Sequence, residues 1–271
     1  MKITRKLTDR IWHLVGQGLS YGLGKRGTGT MCVQASVQAA LEEEHNDAPQ
    51  CVANDVRQFG ITLNDRRAWG DKHKRGEGLR RFAIAQLGSD RLPEGKFAAS
   101  LRLKLLRTRL PLVLAHHDFP PILAKKIETA RTTKEIGDLI RDWRVKLKDD
   151  MTAKQRSYLW ALSSWTGSSA SWAILSIDSI INLFYQTRHI RRYEALQDLA
   201  ELAVQVCIDL HTPGSRWLKE YESRSGEDLV QWLLKEKKKG EEQEAAATRF
   251  KELTQFLRDN EYIRHKTTST K

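Results

Sequence analysis

The chain has little cysteine, and the number it has is odd. Its three cysteines are Cys32, Cys51 and Cys207. So few cysteines exclude a disulfide framework and are typical of proteins that stay in a reducing compartment. We therefore expect a cytoplasmic protein.

The chain also lacks a long hydrophobic run. Its most apolar window, residues 171–185, is too short to cross a bilayer and contains Asp178 and Asn182. The stretch Ile11–Leu19 is too short and too interrupted for the apolar region of a signal peptide. The sequence thus predicts no membrane partner, and residues 171–185 are interpreted as part of a buried helix.

Strand-like alternation of apolar and polar residues is scarce, and no strict repeat or strand–helix–strand rhythm occurs. We therefore predict an all-α fold, a multi-helix globular bundle with at most short strands in its loops. A length of 271 residues suits one large domain or two small ones. The predicted layout is a motif-bearing region at 1–120, a helical bundle region at 121–262 and a disordered tail at 263–271, with a single domain as the alternative.

Helical spacing of apolar residues predicts helices at 31–43, Cys51–Leu63, Phe97–Leu114, Ile122–Arg131, Lys134–Lys148 and Arg188–Leu210. Further helices are expected from about Leu79 to Leu87, within 152–185, and at 226–238 and 241–260. The segment 66–78, which is dense in charge and glycine, is interpreted as an exposed basic loop. Residues 16–29 hold six glycines and are also predicted to form a surface loop, in which Lys25-Arg26 could contact an anion.

Signatures of the common enzyme classes are missing. The chain contains no His-Glu-x-x-His, no Gly-x-Ser-x-Gly and no phosphate loop with its Gly-Lys-Ser/Thr. The adjacent His116-His117-Asp118 is interpreted as a loop after a helix. We expect no cofactor and no metal, and favour a protein that is not an enzyme.

Basic residues are abundant: 46 lysines and arginines face 34 acidic residues, a net charge of +12. This balance favours anionic partners such as nucleic acid, although solubility alone is an alternative explanation. The basic residues form three clusters along the chain. The first cluster is Lys72, Lys74, Arg75, Arg80 and Arg81, the second is Arg102, Lys104, Arg107 and Arg109, and the third is Arg188, Arg191 and Arg192. All of these except Lys104 and Arg109 are the predicted nucleic-acid-binding residues. No docking motif accompanies them, so weak sequence specificity is expected.

Two alternatives centre on Cys32 and Cys51. With His45 and Asp47, the two cysteines could supply the four ligands of a zinc ion. However, their spacing is not that of a zinc finger. Cys32 could equally be a buried core residue of an apolar helix. Cys51 could be a nucleophile if it opens a helix, where the macrodipole favours a thiolate and His45 could act as base. An ordinary helix start with Asp47 as its cap is the competing interpretation.

The segment 27–65 carries three short motifs: Gly29-x-x-Cys32, then Asp47-x-Pro49-x-Cys51, then Leu63-Asn64-Asp65. In these motifs it resembles an uncharacterised family of bacteriophages and actinobacteria. That family has a Gly-x-x-Cys-x-Met-x-Ala opening, an Asp-x-Pro-x-Cys and a Leu-Asn-Asp. The resemblance implies a phage or bacterial origin and no particular activity. It marks Cys32, Asp47, Pro49, Cys51, Asn64 and Asp65 as a motif whose role could be a capped turn tied by Asn64-Asp65.

Three functions follow from these patterns. The first is a non-enzymatic accessory protein that engages nucleic acid or a nucleoprotein complex. The second is a scaffold that binds a protein partner through helices rich in tryptophan, since the chain has eight tryptophans. The third is a small metal- or cysteine-dependent enzyme or nucleotide-binding protein centred on Cys32–Asp65.

Overall fold

In a computed structural model, which describes residues 2–27, 29–147, 151–153, 155–156 and 192–222, the chain is all-α, as predicted. The helices of these residues are α1 (Arg5–Gly16), α2 (Val33–Leu41), α3 (Asn54–Asn64), α4 (Lys72–Ala85), α5 (Lys96–His116), α6 (Pro121–Thr129), α7 (Thr133–Lys146), α8 (Arg192–Asp209) and α9 (Lys219–Glu222). Three 3₁₀ turns occupy Arg67–Trp69, Ser89–Arg91 and Ser215–Trp217. None of the helices described is long and apolar enough to cross a membrane.

Side-chain caps define where several helices begin. The Thr4 hydroxyl accepts from the amide of Leu7 at the start of α1, and the Asp71 carboxylate accepts from the amides of His73 and Lys74 at the start of α4. These contacts satisfy amides that have no partner inside the helix. The Thr132 hydroxyl likewise accepts from the amide of Glu135 at the start of α7.

The larger core is organised around α4, which packs against α1, α2, α3 and α8. Phe82 of α4 meets Phe59 of α3 edge-on at a centroid distance of 5.4 Å, and Phe97 of α5 completes the aromatic cluster. The α1–α4 contact is close at Gly76, where a Cβ atom would lie 2.4 Å from the carbonyl oxygen of Val15. Glycine is therefore required at this crossing.

A second, smaller core joins the C-terminal half of α5 to α6 and α7. Its buried residues include Leu110, Leu114, Leu123, Ile136 and Ile140. The two cores do not divide at residue 120: α5 contributes to both of them, and α8 returns to pack with the first core beside α4. Residues 192–222 thus belong with the N-terminal region in space.

The prediction of an exposed loop at 66–78 is wrong. Trp69 is fully buried, and α4 begins at Lys72 and runs through the charged segment. The apolar pattern missed this half of the helix because its inward positions are Arg75 and Gly76 rather than aliphatic residues. The cap at Asp71 was the available sequence signal.

Most other predicted helices within the described residues are confirmed, with boundaries that differ by a few residues. The helix predicted to open at Cys51 begins only at Asn54, and Cys51 lies in the preceding turn. Cys32 lies at the start of α2, not in the middle of a helix. The predicted helices within 152–185 and at 226–238 and 241–260, and the tail 263–271, lie largely or wholly outside the described residues.

Candidate nucleic-acid interface

The described residues 17–27 and 29–31 between α1 and α2, here called the glycine-rich loop, form a narrow hairpin. Gly24 and Met31 form an isolated antiparallel bridge. The amide of Lys25 donates to the carbonyl oxygen of Thr30 at 2.9 Å, and the Thr30 hydroxyl donates to the carbonyl oxygen of Lys25 at 2.8 Å. Gly24 has a φ of 70°, and a Cβ atom there would collide with the Thr30 carbonyl. The loop therefore has a defined shape that depends on glycine.

Asn64 and Asp65 anchor this loop from the end of α3. The buried Asn64 amide donates to the carbonyl oxygen of Ser20 at 2.9 Å and accepts from the amide of Val33 at 3.2 Å. The Asp65 carboxylate accepts from the amide of Gly22 at 2.8 Å. The Asn64-Asp65 pair thus ties the glycine-rich loop and the first turn of α2 to α3, which gives this part of the motif a structural role.

Arg75 and Lys72 anchor the loop from α4. The Arg75 guanidinium donates to the carbonyl oxygen of Leu19 at 2.7 Å, and the amide of Leu19 donates to the carbonyl oxygen of Lys72 at 2.9 Å. Burial lowers the pKa of Arg75, and the charges of Asp65 and Asp71 oppose this shift. A guanidinium remains protonated at neutral pH in such surroundings, so Arg75 is a buried cation that holds the loop.

The hairpin presents aromatic, apolar and basic side chains to solvent. Tyr21 is 58% exposed and Leu23 is 39% exposed, which is unusual for large hydrophobic residues. Lys25 and Arg26 are exposed at the tip. The stem of Lys72 lies along the base of the loop, beside Gly18 and Gly29. The same loop therefore exposes an aromatic ring and basic side chains, the groups that contact unpaired bases and phosphates.

The predicted first basic cluster is only partly exposed. Lys72 and Lys74 are exposed at the start of α4, and Lys74 lies 3.6 Å from the Asp71 carboxylate and over the ring of Tyr193. Arg75 is buried. Arg80 stacks over the ring of Trp12 at 4.7 Å, and the Arg81 guanidinium lies 3.4 Å from the Glu201 carboxylate. Structural contacts therefore engage the three arginines of this cluster.

The second predicted cluster lies along α5 and is engaged with neighbouring helices. Lys104 forms an ion pair with Asp209 at 2.6 Å, and Arg109 forms one with Asp198, both on α8. The exposed Arg107 donates to the carbonyl oxygen of Glu128 on α6 at 2.8 Å. Arg102 is half-buried and also engaged. These contacts explain the side chains as links between helices, whatever else they bind.

Of the third cluster, Arg188 and Arg191 lie outside the described residues, as do Trp160, Trp165 and Trp172 of the tryptophan-rich segment. Arg192 is the first residue of α8, and nothing is described of its side chain. Their assignment as nucleic-acid-binding residues stays a prediction.

Cys32 caps α2. Its sulfur accepts from the amide of Ala35 at 3.3 Å. Burial raises the pKa of the Cys32 thiol, and the nearby charges of Asp47 and Asp65 raise it further. The structure thus brings Cys32 into the neighbourhood of the two motif aspartates, where it acts as a neutral, buried helix cap.

Cys51 lies in different surroundings from Cys32. It occupies a turn in which the amide of Val52 donates to the carbonyl oxygen of Pro49, and its own carbonyl accepts from the amide of Gly88. Burial raises the pKa of the Cys51 thiol to about 11. Asp47 is not the cap of α3, whose first residue is preceded by Ala53. The conditions for an activated thiolate at a helix start are not met.

His45, which follows α2, contacts the glycine-rich loop: its Nε2 lies 3.1 Å from the carbonyl oxygen of Gly24. Within the described part of the chain, which includes Cys32, His45, Asp47 and Cys51, no three His, Cys, Asp or Glu side chains converge on a common point where a metal ion could bind. The zinc alternative therefore has no geometric support.

The His116-His117-Asp118 segment ends α5 and carries no constellation of catalytic groups. The two imidazole rings meet edge to face at 5.0 Å, His117 is buried, and Asp118 adopts a φ of 56°. The carbonyl oxygen of His117 accepts from the side-chain amide of Gln155. The segment is a helix end with a packed histidine.

Among the predicted binding residues whose side chains the structure describes, only Lys72 and Lys74 lie together on an exposed surface near the loop. The sequence alone marked Lys25-Arg26 as a possible anion contact but did not single out Tyr21 and Leu23. Their exposure results from the hairpin, and no periodic pattern in the sequence predicts it. The only sequence feature that could have indicated it is an aromatic residue between closely spaced glycines.

Comparison with known proteins identifies no relative: no family model, no curated protein and no solved structure matches the chain.

Proposed function

We propose that the protein is a non-enzymatic accessory factor, of phage or bacterial origin, that binds single-stranded nucleic acid, alone or within a nucleoprotein complex. The observation that supports this most directly is the anchored hairpin of the glycine-rich loop. It exposes Tyr21, Lys25 and Arg26, with Lys72 at its base.

The hairpin suits unpaired strands better than duplex grooves. A tyrosine ring can stack on any base, and stacking of this kind is worth about 1–3 kcal/mol per base. Lysine and arginine neutralise backbone phosphates without reading sequence. The predicted cations of α5 contact α6 and α8, so this helix does not present a row of free basic side chains for docking in a major groove.

The anchoring contacts support the same interpretation. If a binding loop is flexible without its ligand, the entropy that it loses on binding lowers the affinity. A loop that already has its bound shape avoids this cost. Contacts of Asn64, Asp65 and Arg75 hold the glycine-rich loop at Ser20, Gly22 and Leu19. This rigidity leaves the tip residues as the exposed part of a preformed surface.

The experiment is an anisotropy titration of a fluorescent single-stranded oligonucleotide across a range of salt concentrations. For single strands, log K falls with log salt at a slope of about −0.7 per neutralised phosphate. The variant Lys25→Gln/Arg26→Gln should therefore bind more weakly, with a slope smaller by about 1.4 if both cations contact phosphates.

The matched control is Lys125→Gln/Lys126→Gln, which removes the same charge from two exposed residues of α6. It should bind with nearly the wild-type slope. Tyr21→Phe should retain affinity, whereas Tyr21→Ala should lose at least about fivefold, as expected for the loss of one stacked base. Equal effects of the tip and control variants would mean that net charge alone drives binding, and would sink the proposal.

Neither alternative gains from a specific observation. The described tryptophans, Trp12, Trp69, Trp143 and Trp217, are all at least partly buried, as core residues are. A cysteine-dependent enzyme needs a reactive thiol, whereas burial raises the pKa of each of the three cysteines. A metal-dependent enzyme needs converging ligands, and the described residues provide none.

A further inference from the structure

A cleft opens beyond the C-terminal end of α8, and its lining includes none of the described residues of the three predicted clusters. Its volume is about 810 Å³, within the usual range for small-molecule sites. The N-terminal residues Lys2 and Ile3 form one wall, Arg91 contributes to another, and residues 208–219 line the remainder. The cleft is thus built from three segments that are distant in sequence.

The lining is strongly basic. Lys2, Arg91, Arg216 and Lys219 line it together with His211, and as far as the structure describes the lining it includes no carboxylate. All five of these side chains belong to exposed residues. Positive charges that line a concave surface repel one another and create a strong positive potential in the cleft. A bound anion would reduce this repulsion.

Two acidic residues that flank the α8 side of the cleft in sequence are paired with cations outside its lining. Asp209 at the end of α8 binds Lys104 on α5 at 2.6 Å, and the Glu220 carboxylate lies 3.4 Å from the guanidinium of Arg5. The charge of the cleft is therefore not neutralised by these two neighbours.

The end of α8 has an unusual residue at its turning point. The amide of His211 donates to the carbonyl oxygen of Ile208, and the amide of Thr212 donates to that of Cys207, which is the pattern of a Schellman motif. The left-handed position is normally glycine, but here it is His211 with a φ of 53°. A non-glycine residue in this conformation costs about 1–2 kcal/mol. His211 nevertheless occupies the position, and it lines the cleft.

The same motif removes a feature that would repel an anion. The C-terminal carbonyls of a helix carry partial negative charge. Here the carbonyl oxygens of Cys207 and Ile208 accept backbone hydrogen bonds, and the buried Thr212 hydroxyl donates to Cys207 and to Ala85. Two of the last carbonyls of α8 are therefore already satisfied within the protein.

Two further features shape the cleft. Ile3, Ile208 and Leu218 give it an apolar part that could cover a flat, uncharged group. The Arg216 guanidinium stacks over Trp217 at 5.5 Å and donates to the carbonyl oxygen of Ile3 at 3.4 Å. Arg216 is thus held in place, which reduces the entropy lost when it binds a ligand.

We propose that this cleft binds a small ligand with more than one phosphate group, of the nucleoside diphosphate or triphosphate class. The cations and His211 would hold the phosphates, and the apolar part would cover the nucleoside. This site is separate from the glycine-rich loop and does not depend on the function proposed for that loop.

The test is isothermal titration calorimetry of the full chain with inorganic pyrophosphate, ADP and adenosine as probes. We expect ADP to bind more tightly than pyrophosphate, and adenosine to show no binding, because the phosphates supply most of the attraction. Equal binding of pyrophosphate and ADP would show that the apolar part contributes nothing and would overturn the assignment to the nucleotide class. Failure of both phosphate probes to bind at millimolar concentration would overturn the proposal.

Variants locate the binding. Lys2→Gln/Lys219→Gln removes two exposed charges from the cleft and should weaken ADP at least about tenfold, since each charged hydrogen bond is worth about 1.5–3 kcal/mol. Lys125→Gln/Lys126→Gln on α6 should leave ADP affinity unchanged. Equal affinities of these two variants would place the binding outside the cleft and reject the proposal.

A further comparison separates this proposal from the function of the loop. The cleft variant should retain oligonucleotide binding, and Lys25→Gln/Arg26→Gln should retain ADP binding. Arg216→Gln, with its folding checked by circular dichroism, provides a second cleft variant. If the folded variant bound ADP like the wild type, the role of Arg216 would be refuted.

Discussion

The guanidinium of Arg75 donates a 2.7 Å hydrogen bond to the carbonyl oxygen of Leu19, and this bond joins the middle of the basic segment to the base of the glycine-rich loop. A residue that the sequence assigns to phosphate binding is thus buried and engaged inside the protein. Buried carbonyl oxygens require a donor, and arginine can supply one while its stem fills apolar space.

Replacing Arg75 by methionine should therefore destabilise the protein. The apolar stem is largely kept, but the Leu19 carbonyl loses its donor, which costs about 1–3 kcal/mol for a buried polar group. Urea denaturation followed by circular dichroism measures the change. Arg131→Met, at an exposed arginine, is the control and should shift the midpoint little. Equal midpoints for Arg75→Met and the wild type would show that the bond contributes nothing.

Asn64 should tolerate aspartate no better than alanine, although aspartate has the same shape. The Asn64 amide nitrogen donates to the Ser20 carbonyl and to the Asp65 carboxylate, at 2.9 and 2.8 Å. A carboxylate in its place would face two oxygens without a proton and would add a charge beside Asp65. We expect Asn64→Asp and Asn64→Ala each to lose about 2 kcal/mol or more of unfolding free energy.

The readout for Asn64 is thermal and urea unfolding at neutral pH. Asn54→Asp, at an exposed position in the first turn of α3, is a matched control that should be neutral or slightly stabilising, because the helix N-terminus favours a negative charge. Wild-type stability of Asn64→Asp would mean that the anchor to Ser20 is dispensable.

The helical class and most helix positions could be predicted because the apolar residues of these helices repeat at three and four positions. The first half of α4 could not be predicted in this way, because its buried face holds Arg75 and Gly76. A hydropathy pattern counts these two residues as polar or neutral. Tertiary contacts with the glycine-rich loop decide their burial, and these contacts are distant in sequence.

The candidate site was predictable only in part for the same reason. The sequence shows where the basic residues lie along the chain, but not which of them form ion pairs with acidic residues in the folded protein. Lys104 and Arg109 look free on a helical wheel until α8 returns and places Asp209 and Asp198 beside them. Conversely, the exposure of Tyr21 follows from a hairpin whose anchors, Asn64 and Asp65, come more than forty residues later.

The three cysteines should be unreactive in the folded protein at pH 8. Burial raises the pKa of Cys51 from 9.0 to about 11 and that of Cys207 to about 12, so almost no thiolate is present. A raised thiol pKa means that folding favours the neutral form. That contribution to stability is fully present below pH 9 and is lost as the pH rises through about 11 for Cys51.

Iodoacetamide labelling followed by mass spectrometry tests this. The folded protein should label slowly, and urea should accelerate all three sites by orders of magnitude, because unfolding restores ordinary thiol pKa values. Cys51→Ala should retain nucleic-acid binding. Rapid labelling of Cys51 in the folded protein would revive the activated-thiol hypothesis.

The basic side chains of α5 should matter little for nucleic-acid binding compared with the tip of the glycine-rich loop. Arg109 and Lys104 each contact a carboxylate on α8, and Arg107 donates to the carbonyl of Glu128, so a phosphate would have to compete with partners already in place. Lys104→Gln/Arg107→Gln should therefore change the salt slope of oligonucleotide binding by less than Lys25→Gln/Arg26→Gln does. A larger change would move the interface from the loop to α5.

The same α5 contacts should contribute modestly to stability. Lys104 and Asp209 are 28% and 58% exposed, and pairs of this kind are worth about 0–1 kcal/mol. A double-mutant cycle with Lys104→Ala and Asp209→Ala should give a coupling energy in that range that shrinks at high salt, because screening weakens exposed pairs first. A coupling that exceeds this range and is insensitive to salt would show that the α5–α8 contact is desolvated, and that phosphate could not displace the aspartate there.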